Sequence, residues 1–230
     1  MTIQTPECDA DGLGSAETGR EELPQVLLIG DSISIGYTEP VRRLLNGGCN
    51  THRADANCGD TKNGLAHLDS WLGDRVWDLI HFNWGLHDLC YRHPEATAYG
   101  NRDKINGALS VEPETYRANL DRLVRRMRSR AKRLVWATTT YIPEGEAGRH
   151  QGDEVRYNAL ASEVMAEHGI PTDDLYAITQ AFPPPMFTCP GDVHFTPEGC
   201  EVIAEAVSEC IREELATNGQ VRREQGATQP

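Results

Sequence analysis

Ser32 and His194 are the residues of this sequence whose side chains combine most readily into reactive chemistry. A serine hydroxyl is a weak nucleophile until a neighbouring base removes its proton, and histidine titrates close to neutral pH. Such a pair can attack a carbonyl carbon, and the resulting oxyanion needs hydrogen-bond donors fixed in advance. The long separation of the two residues along the chain is no obstacle, because such constellations assemble from remote segments.

Polar clusters at four places in the chain could supply the other groups that this chemistry requires. They are Gly30-Asp31-Ser32, Asn57-Cys58-Gly59-Asp60, Asn83-Trp84-Gly85-Leu86-His87-Asp88 and Asp192-Val193-His194. The first three follow predicted strands and the fourth precedes the last helix, so we expect them to meet at one edge of a parallel sheet. Backbone N–H groups of Ser32 and Gly59, with a side chain from the third cluster, could then bind the oxyanion.

The segments between these clusters alternate between strand and helix patterns. Predicted strands cover residues 26–29, 51–56, 77–82, 134–138 and 170–175. The first is wholly apolar, as a strand buried on both faces should be. Amphipathic stripes predict helices over 116–127, over 154–168 and after Thr196, while 92–113 has no clean period. This alternation predicts an α/β fold with a parallel sheet of about five strands covered on both faces.

The order and spacing of the clusters resemble those of the SGNH hydrolases, also called GDSL esterases. Gly-Asp-Ser after the first strand, Gly59 after the second, Gly-x-x-Asp after the third and Asp-Val-His before the last helix carry the resemblance. It implies a flavodoxin-like, three-layer α/β/α fold without a cofactor. It also implies Ser32 as nucleophile, Gly59 as oxyanion donor and His194 as base. Substrates of this family are esters of short acyl chains, lipids, or acetyl groups on sugars.

Two positions depart from the family pattern. Where the family has an asparagine whose amide donates to the oxyanion, this chain has His87, whose ring N–H could donate instead. Asn83 is a weaker substitute donor. Three residues before the histidine, where the family has its aspartate, this chain has Gly191. Asp192 is the predicted orienting acid, and a backbone carbonyl in that role, leaving a Ser-His dyad, is the open alternative.

The composition of the chain limits the binding partners and the cellular compartment that we expect for it. The chain has 230 residues, enough for one substantial domain, and its formal net charge of −13 disfavours nucleic acid and anionic lipid. No apolar run approaches the roughly 18 residues of a membrane span. Seven cysteines without CxxC spacing, and no export signal, favour a reducing cytoplasm. We predict a flexible tail over 1–24, a hydrolase domain over 25–216 and a C-terminal tail over 217–230.

The leading hypothesis is a serine esterase that cleaves small esters through an acyl-enzyme intermediate. The expected substrates carry a short acyl group or an O-acetyl group, and a carbohydrate is one candidate for the alcohol portion. The two departures motivate an alternative, a non-catalytic binding module on the same fold. A flavin carrier is disfavoured because no glycine-rich phosphate loop follows the first strand.

Other roles are considered for single polar residues. No metal is expected, because no standard zinc spacing is formed by His81, His87, Asp88 and His93. Ser32 could also merely cap the helix after the first strand, and Asp31 and Asp88 are predicted to bind loop amides.

Overall fold

A computed structural model describes residues 23–95 and 101–226 of the chain. The strands are β1 Gln25–Ile29, β2 Asn50–Arg53, β3 Leu79–Phe82, β4 Tyr91–Arg92, β5 Ala108–Leu109, β6 Leu134–Ala137 and β7 Thr172–Asp173. The α-helices are α1 Ser32–Leu44, α2 Thr61–Leu72, α3 Pro113–Arg128, α4 Asp153–His168, α5 Leu175–Gln180 and α6 Pro197–Gly226. A turn of 3-10 helix covers Pro184–Met186.

The main sheet has the strand order β2-β1-β3-β6-β7, and every neighbouring pair is parallel. α1 packs against α6, while α2, α3 and α4 pack in series. The two groups of helices cover opposite faces of the sheet, which makes the three-layer α/β/α arrangement. This strand order is the doubly wound, flavodoxin-like order, so the predicted fold class is confirmed.

The central strands are buried because both of their faces are covered by helices. All four residues of β3 and of β6 are buried, and so are the last four of β1. His81 is the polar exception, and its Nε2 lies 2.9 Å from an oxygen of Asp173 at the end of the sheet. The imidazole of His81 is therefore engaged with Asp173 inside the sheet. Among the residues that the structure describes, no cluster of metal-binding side chains forms.

Some boundaries differ from those that the sequence pattern predicts. The fifth predicted strand, 170–175, is reduced to β7, and β4 pairs with β5 in a short antiparallel ladder where no regular structure is expected. α6 continues to Gly226, ten residues beyond the predicted domain end at 216. Residues 1–22, most of the predicted N-terminal tail, lie outside the described residues, as do 227–230. None of the described helices is long and apolar enough to span a bilayer.

Candidate active site

The loops that carry the four polar clusters meet at the carboxyl edge of the sheet, around the end of β1. β1 is flanked by β2 on one side and by β3 on the other, so the chain crosses the sheet in opposite directions from this strand. Such a switch point opens a crevice between the loops, where α/β proteins bind their ligands. Ser32 begins the helix that follows β1, and His194 lies just before α6.

Three side chains from two of these loops form a continuous hydrogen-bonded chain. Ser32 Oγ lies 2.8 Å from Nε2 of His194. On the other side of the ring, Nδ1 of His194 lies 2.6 Å from Oδ1 of Asp192. With Nδ1–H donating to the carboxylate, Nε2 is left as an acceptor that faces the serine hydroxyl. The histidine ring is partly open to solvent, with 42% of its side chain exposed.

Hydrogen bonds from Asp31 and Arg53 hold the backbone of the first loop around Ser32. Asp31 caps α1, because its Oδ1 accepts a hydrogen bond of 2.9 Å from the N–H of Ile33. The guanidinium of Arg53 donates to the carbonyl oxygens of Gly30 and Asp31, at 3.1 and 3.4 Å. Ser32 is therefore the first helical residue and not the cap, so the alternative role considered for it is wrong. Its N–H lies at the positive end of the helix dipole, where donors to an anion are strongest.

Gly59 requires the flexibility of glycine, because its φ is +59°. Its N–H, the predicted oxyanion donor, is bound 3.1 Å from Oδ1 of Asn57 in an Asx turn. A substrate oxygen that uses this donor has to share it with the Asn57 side chain or displace it. Sequence reasoning missed this competition, although an asparagine two residues before a glycine is a known signal for such a turn.

His87 is almost fully buried, with 9% of its surface exposed. Its Nδ1 lies 3.5 Å from Nη2 of Arg92, and because a guanidinium only donates, Nδ1 must be the accepting nitrogen. Burial lowers the pKa of His87, and the charges of Arg149 and Arg92 lower it further, against an opposing contribution from Asp31. The lowered pKa favours the neutral ring, and with Nδ1 accepting, the ring proton lies on Nε2. His87 can then act as an imidazole donor, not as the stronger imidazolium donor.

Two other polar residues of the third loop form hydrogen bonds that stabilise the fold. Asn83 donates its side-chain N–H to the carbonyl of Ala137 at 2.7 Å, which ties this residue to the end of β6. Oδ1 of Asp88 accepts from the N–H and the hydroxyl of Thr61, at 2.9 and 2.5 Å. Burial raises the pKa of Asp88 to about 8. Asp31 and Asp88 thus have the predicted structural role, but the amides that they bind belong to the first turns of α1 and α2 and not to loops. The Asn83 amide is engaged at the end of β6.

The backbone around Gly191 explains why this position does not carry the aspartate of the family pattern. Asp192 donates its N–H to the carbonyl of Cys189 at 3.1 Å, which closes a turn with Pro190 and Gly191 at its centre. Gly191 has a φ of +76°, and a Cβ placed on it would lie 2.9 Å from the carbonyl oxygen of Gly145. A side chain at 191 is therefore disfavoured by conformation and by contact, and the acid stands one residue later.

We expect the variant Gly191→Asp, which restores the family position of the acid, to lose both stability and activity. The left-handed conformation alone should cost about 1–2 kcal/mol, and the contact with Gly145 adds to that cost. Thermal unfolding and kcat/KM on a short-chain ester are the measurements. Gly47→Asp is the matched control, because Gly47 has a φ of +80° and nothing within 4 Å of its virtual Cβ. Equal unfolding temperatures for the two variants would contradict the predicted contact.

The chain matches a known protein family over most of its length, and several solved structures have a similar fold. The model of the GDSL-like lipase/acylhydrolase family matches residues 28–202. A search of curated protein sequences found no match. Among solved structures, an acetyl xylan esterase superposes with a TM-score of 0.65 at 13% identity, over 81% of this chain and 99% of that one.

Two further structures are similar over comparable lengths. A lipase/acylhydrolase from Enterococcus faecalis has a TM-score of 0.61 at 21% identity, over 83% of this chain and 96% of that one. An acetylxylan esterase from Geobacillus stearothermophilus, solved as a catalytic mutant, has a TM-score of 0.61 at 15% identity, over 84% and 94%. At these sequence identities the superpositions show the fold alone. The assignment of the chain to a family rests on the match to the family model. The chain belongs to the GDSL-like lipase/acylhydrolase family and is a carboxylic ester hydrolase.

Proposed function

We propose that this chain hydrolyses small esters of short acyl groups, acetyl above all, with Ser32 as the nucleophile. The observation that carries the proposal is the hydrogen-bonded chain from the Ser32 hydroxyl through the His194 ring to Asp192, with distances of 2.8 and 2.6 Å. These distances are within the range required for a nucleophile, its base and the group that orients the base.

Acylation begins when Ser32 Oγ attacks the ester carbonyl carbon and His194 Nε2 takes the hydroxyl proton. Asp192 stabilises the imidazolium that forms, through its hydrogen bond to Nδ1. The tetrahedral intermediate places a negative charge on the former carbonyl oxygen. Its proposed donors are the N–H groups of Ser32 and Gly59 and Nε2–H of His87. The intermediate collapses when His194 returns its proton to the leaving alcohol, which departs and leaves an acyl-Ser32.

Deacylation repeats the sequence with water as the nucleophile. His194 removes a proton from the water as it attacks the acyl carbon, and the same donors bind the second oxyanion. The proton then returns to Ser32 Oγ, the carboxylic acid is released and the free enzyme is restored. The net reaction consumes one ester and one water for each acid and alcohol formed.

Aromatic side chains beside His194 support a ring-shaped or apolar alcohol portion of the substrate. Phe187 pairs through its backbone with Phe195, the neighbour of His194, and their ring centroids are 5.2 Å apart. Half-buried Tyr141 lies 6.4 Å from Phe187. Because His194 protonates the leaving group, the alcohol must lie on its side of the site, and its proposed contacts are the half-buried rings of Phe187 and Tyr141, while Phe195 is buried in the core beneath Phe187. An acetylated sugar fits this arrangement, and acetylxylan esterases are among the proteins of similar fold.

The proposed partner is a small-molecule ester, and neither nucleic acid nor a membrane is proposed. The net charge of −13 supports this choice, because it repels polyanions. The described cysteines are Cys49, Cys58, Cys90, Cys189, Cys200 and Cys210, and all of them are free. Free thiols support a reducing compartment such as the cytoplasm as the place of action.

A fluorophosphonate probe and a substrate panel test the proposal together. The native protein should form a covalent adduct that peptide mass spectrometry assigns to Ser32, and heat-denatured protein should not react. In the panel, p-nitrophenyl acetate and acetylated xylo-oligosaccharides should be turned over faster than p-nitrophenyl octanoate. A native protein that neither reacts nor turns over any ester would support the binding-module alternative, and an adduct on another serine would contradict the mechanism.

A further inference from the structure

The residues around Asp192 form a closed turn that precedes α6. The N–H of Thr188 donates to the carbonyl of His194 at 3.0 Å, and the N–H of Asp192 donates to the carbonyl of Cys189 at 3.1 Å. Pro190 and Gly191 occupy the centre of the inner turn, where a fixed φ and a positive φ are favoured. The two backbone hydrogen bonds bring the side chains of Thr188, Asp192 and His194 to the same side of the turn.

The carboxylate of Asp192 is held through both of its oxygens. Oδ1 accepts from Nδ1 of His194 at 2.6 Å and from the backbone N–H of His194 at 3.1 Å. Oδ2 accepts from the hydroxyl of Thr188 at 3.0 Å. The thiol of Cys189 is farther from the same oxygen, at 3.9 Å. The Thr188 hydroxyl is therefore the closest described donor to the second oxygen.

The single hydroxyl proton of Thr188 has two acceptors within reach. The carbonyl oxygen of His194 lies 3.3 Å from Thr188 Oγ1, farther than the carboxylate oxygen at 3.0 Å. A hydrogen bond to an ionised carboxylate is stronger than one to a neutral carbonyl. Distance and charge both direct the proton to Asp192.

We propose that Thr188 is a positioning residue that acts through Asp192, holding Oδ2 so that Oδ1 stays on Nδ1 of His194. The proposal rests on the proposed function, because it requires the Asp192–His194 pair to take part in catalysis. The unusual place of the acid makes this support necessary. Asp192 stands only two residues before His194, on a turn with 25% of its side chain exposed, so packing alone does not fix the carboxylate rotation.

The same contacts keep Asp192 ionised. Partial burial raises the pKa of Asp192, but hydrogen bonds from the side chain and N–H of His194 and from Thr188 outweigh burial and lower it overall. His194 and Cys189 are the titratable groups that contact this carboxylate. Without the Thr188 hydroxyl, Asp192 would bind a proton at a higher pH, and it would rotate more freely when ionised.

Thr188→Val tests the role, because valine has nearly the shape of threonine and lacks the hydroxyl. We expect kcat on p-nitrophenyl acetate to fall by about 10-fold or more with little change in KM, because only the interaction with a charged group is lost. Thr188→Ser keeps the donor and should restore most of the activity. Thr217→Val, an exposed threonine whose hydroxyl donates to the carbonyl of Glu213, is the matched control.

A double-mutant cycle with Asp192→Asn separates positioning from general stability. If Thr188 acts through Asp192, Thr188→Val should have almost no further effect on kcat in the Asp192→Asn background. Full additivity of the two substitutions would overturn the proposal, and so would wild-type kcat for Thr188→Val or a Thr188→Ser variant as slow as Thr188→Val. These results would leave the function of Ser32 intact, whereas failure of that function would appear as unchanged activity after Ser32→Ala.

Discussion

Replacing Ser32 with alanine should lower kcat for p-nitrophenyl acetate by about a million-fold. The substitution removes the only atom that His194 Nε2 contacts at 2.8 Å in this hydrogen-bonded chain, so no acyl-enzyme can form. The fold should be unaffected, because the cap of α1 is supplied by Asp31. Steady-state kinetics on the purified variant, with its unfolding temperature measured in parallel, provide the comparison.

Ser70→Ala is the matched control for this prediction. Ser70 lies on α2, is exposed, and donates its hydroxyl to the backbone carbonyl of His67. The control variant should retain wild-type kinetics and react with the fluorophosphonate, while Ser32→Ala should do neither. Turnover by Ser32→Ala at more than a small percentage of the wild-type rate would remove Ser32 from the mechanism.

Asp192→Asn should have the second largest effect, a fall in kcat of about 10⁴-fold. The asparagine amide can donate to Nδ1 of His194, which moves the ring proton to Nε2. The ring then faces Ser32 with an N–H and can no longer accept the hydroxyl proton. Hydrogen bonds from His194 and Thr188 outweigh partial burial and hold the pKa of Asp192 below its usual value, so this carboxylate is ionised at neutral pH in the wild-type protein.

A carboxylate–imidazole pair on the helices, away from the site, serves as a control. Asp121 Oδ1 lies 2.7 Å from Nε2 of His168, on the helices α3 and α4 away from the site. Asp121→Asn should therefore leave kcat unchanged, although its 2.7 Å contact is nearly as short as the 2.6 Å contact of Asp192 with His194. A loss smaller than about 10-fold for Asp192→Asn would instead support the Ser-His dyad, in which a backbone carbonyl orients the ring.

These two predictions depend on parts of the molecule that the sequence determines to different degrees. The apolar runs of β1, β3 and β6 indicate buried strands, and the stripe over α3 indicates a helix with one buried face, because burial imposes these periods locally. Strands alternating with helices require a parallel sheet, and a parallel sheet collects its loops at one edge. Ser32 and His194 could thus be placed together without coordinates.

The short segments of the fold could not be predicted in the same way. β7 has two residues and β2 is polar, so neither carries a strong pattern, and their pairing depends on the neighbouring strands. The ladder of β4 and β5 is equally short and forms between residues that a loop separates. Context decides such elements, because two or three residues have too little intrinsic preference to specify a strand.

The sequence by itself determined the fold class and the proposed catalytic pair, because both follow from hydrophobic period and from the order of motifs along the chain. Only the tertiary structure decided that Asp192, and not a carbonyl, contacts His194, that Asn57 binds the Gly59 N–H, and that Arg92 lies at Nδ1 of His87. These outcomes depend on side-chain rotation and turn geometry over a few tenths of an ångström. Residue types and spacings do not encode such displacements, since the packing of the whole chain sets them.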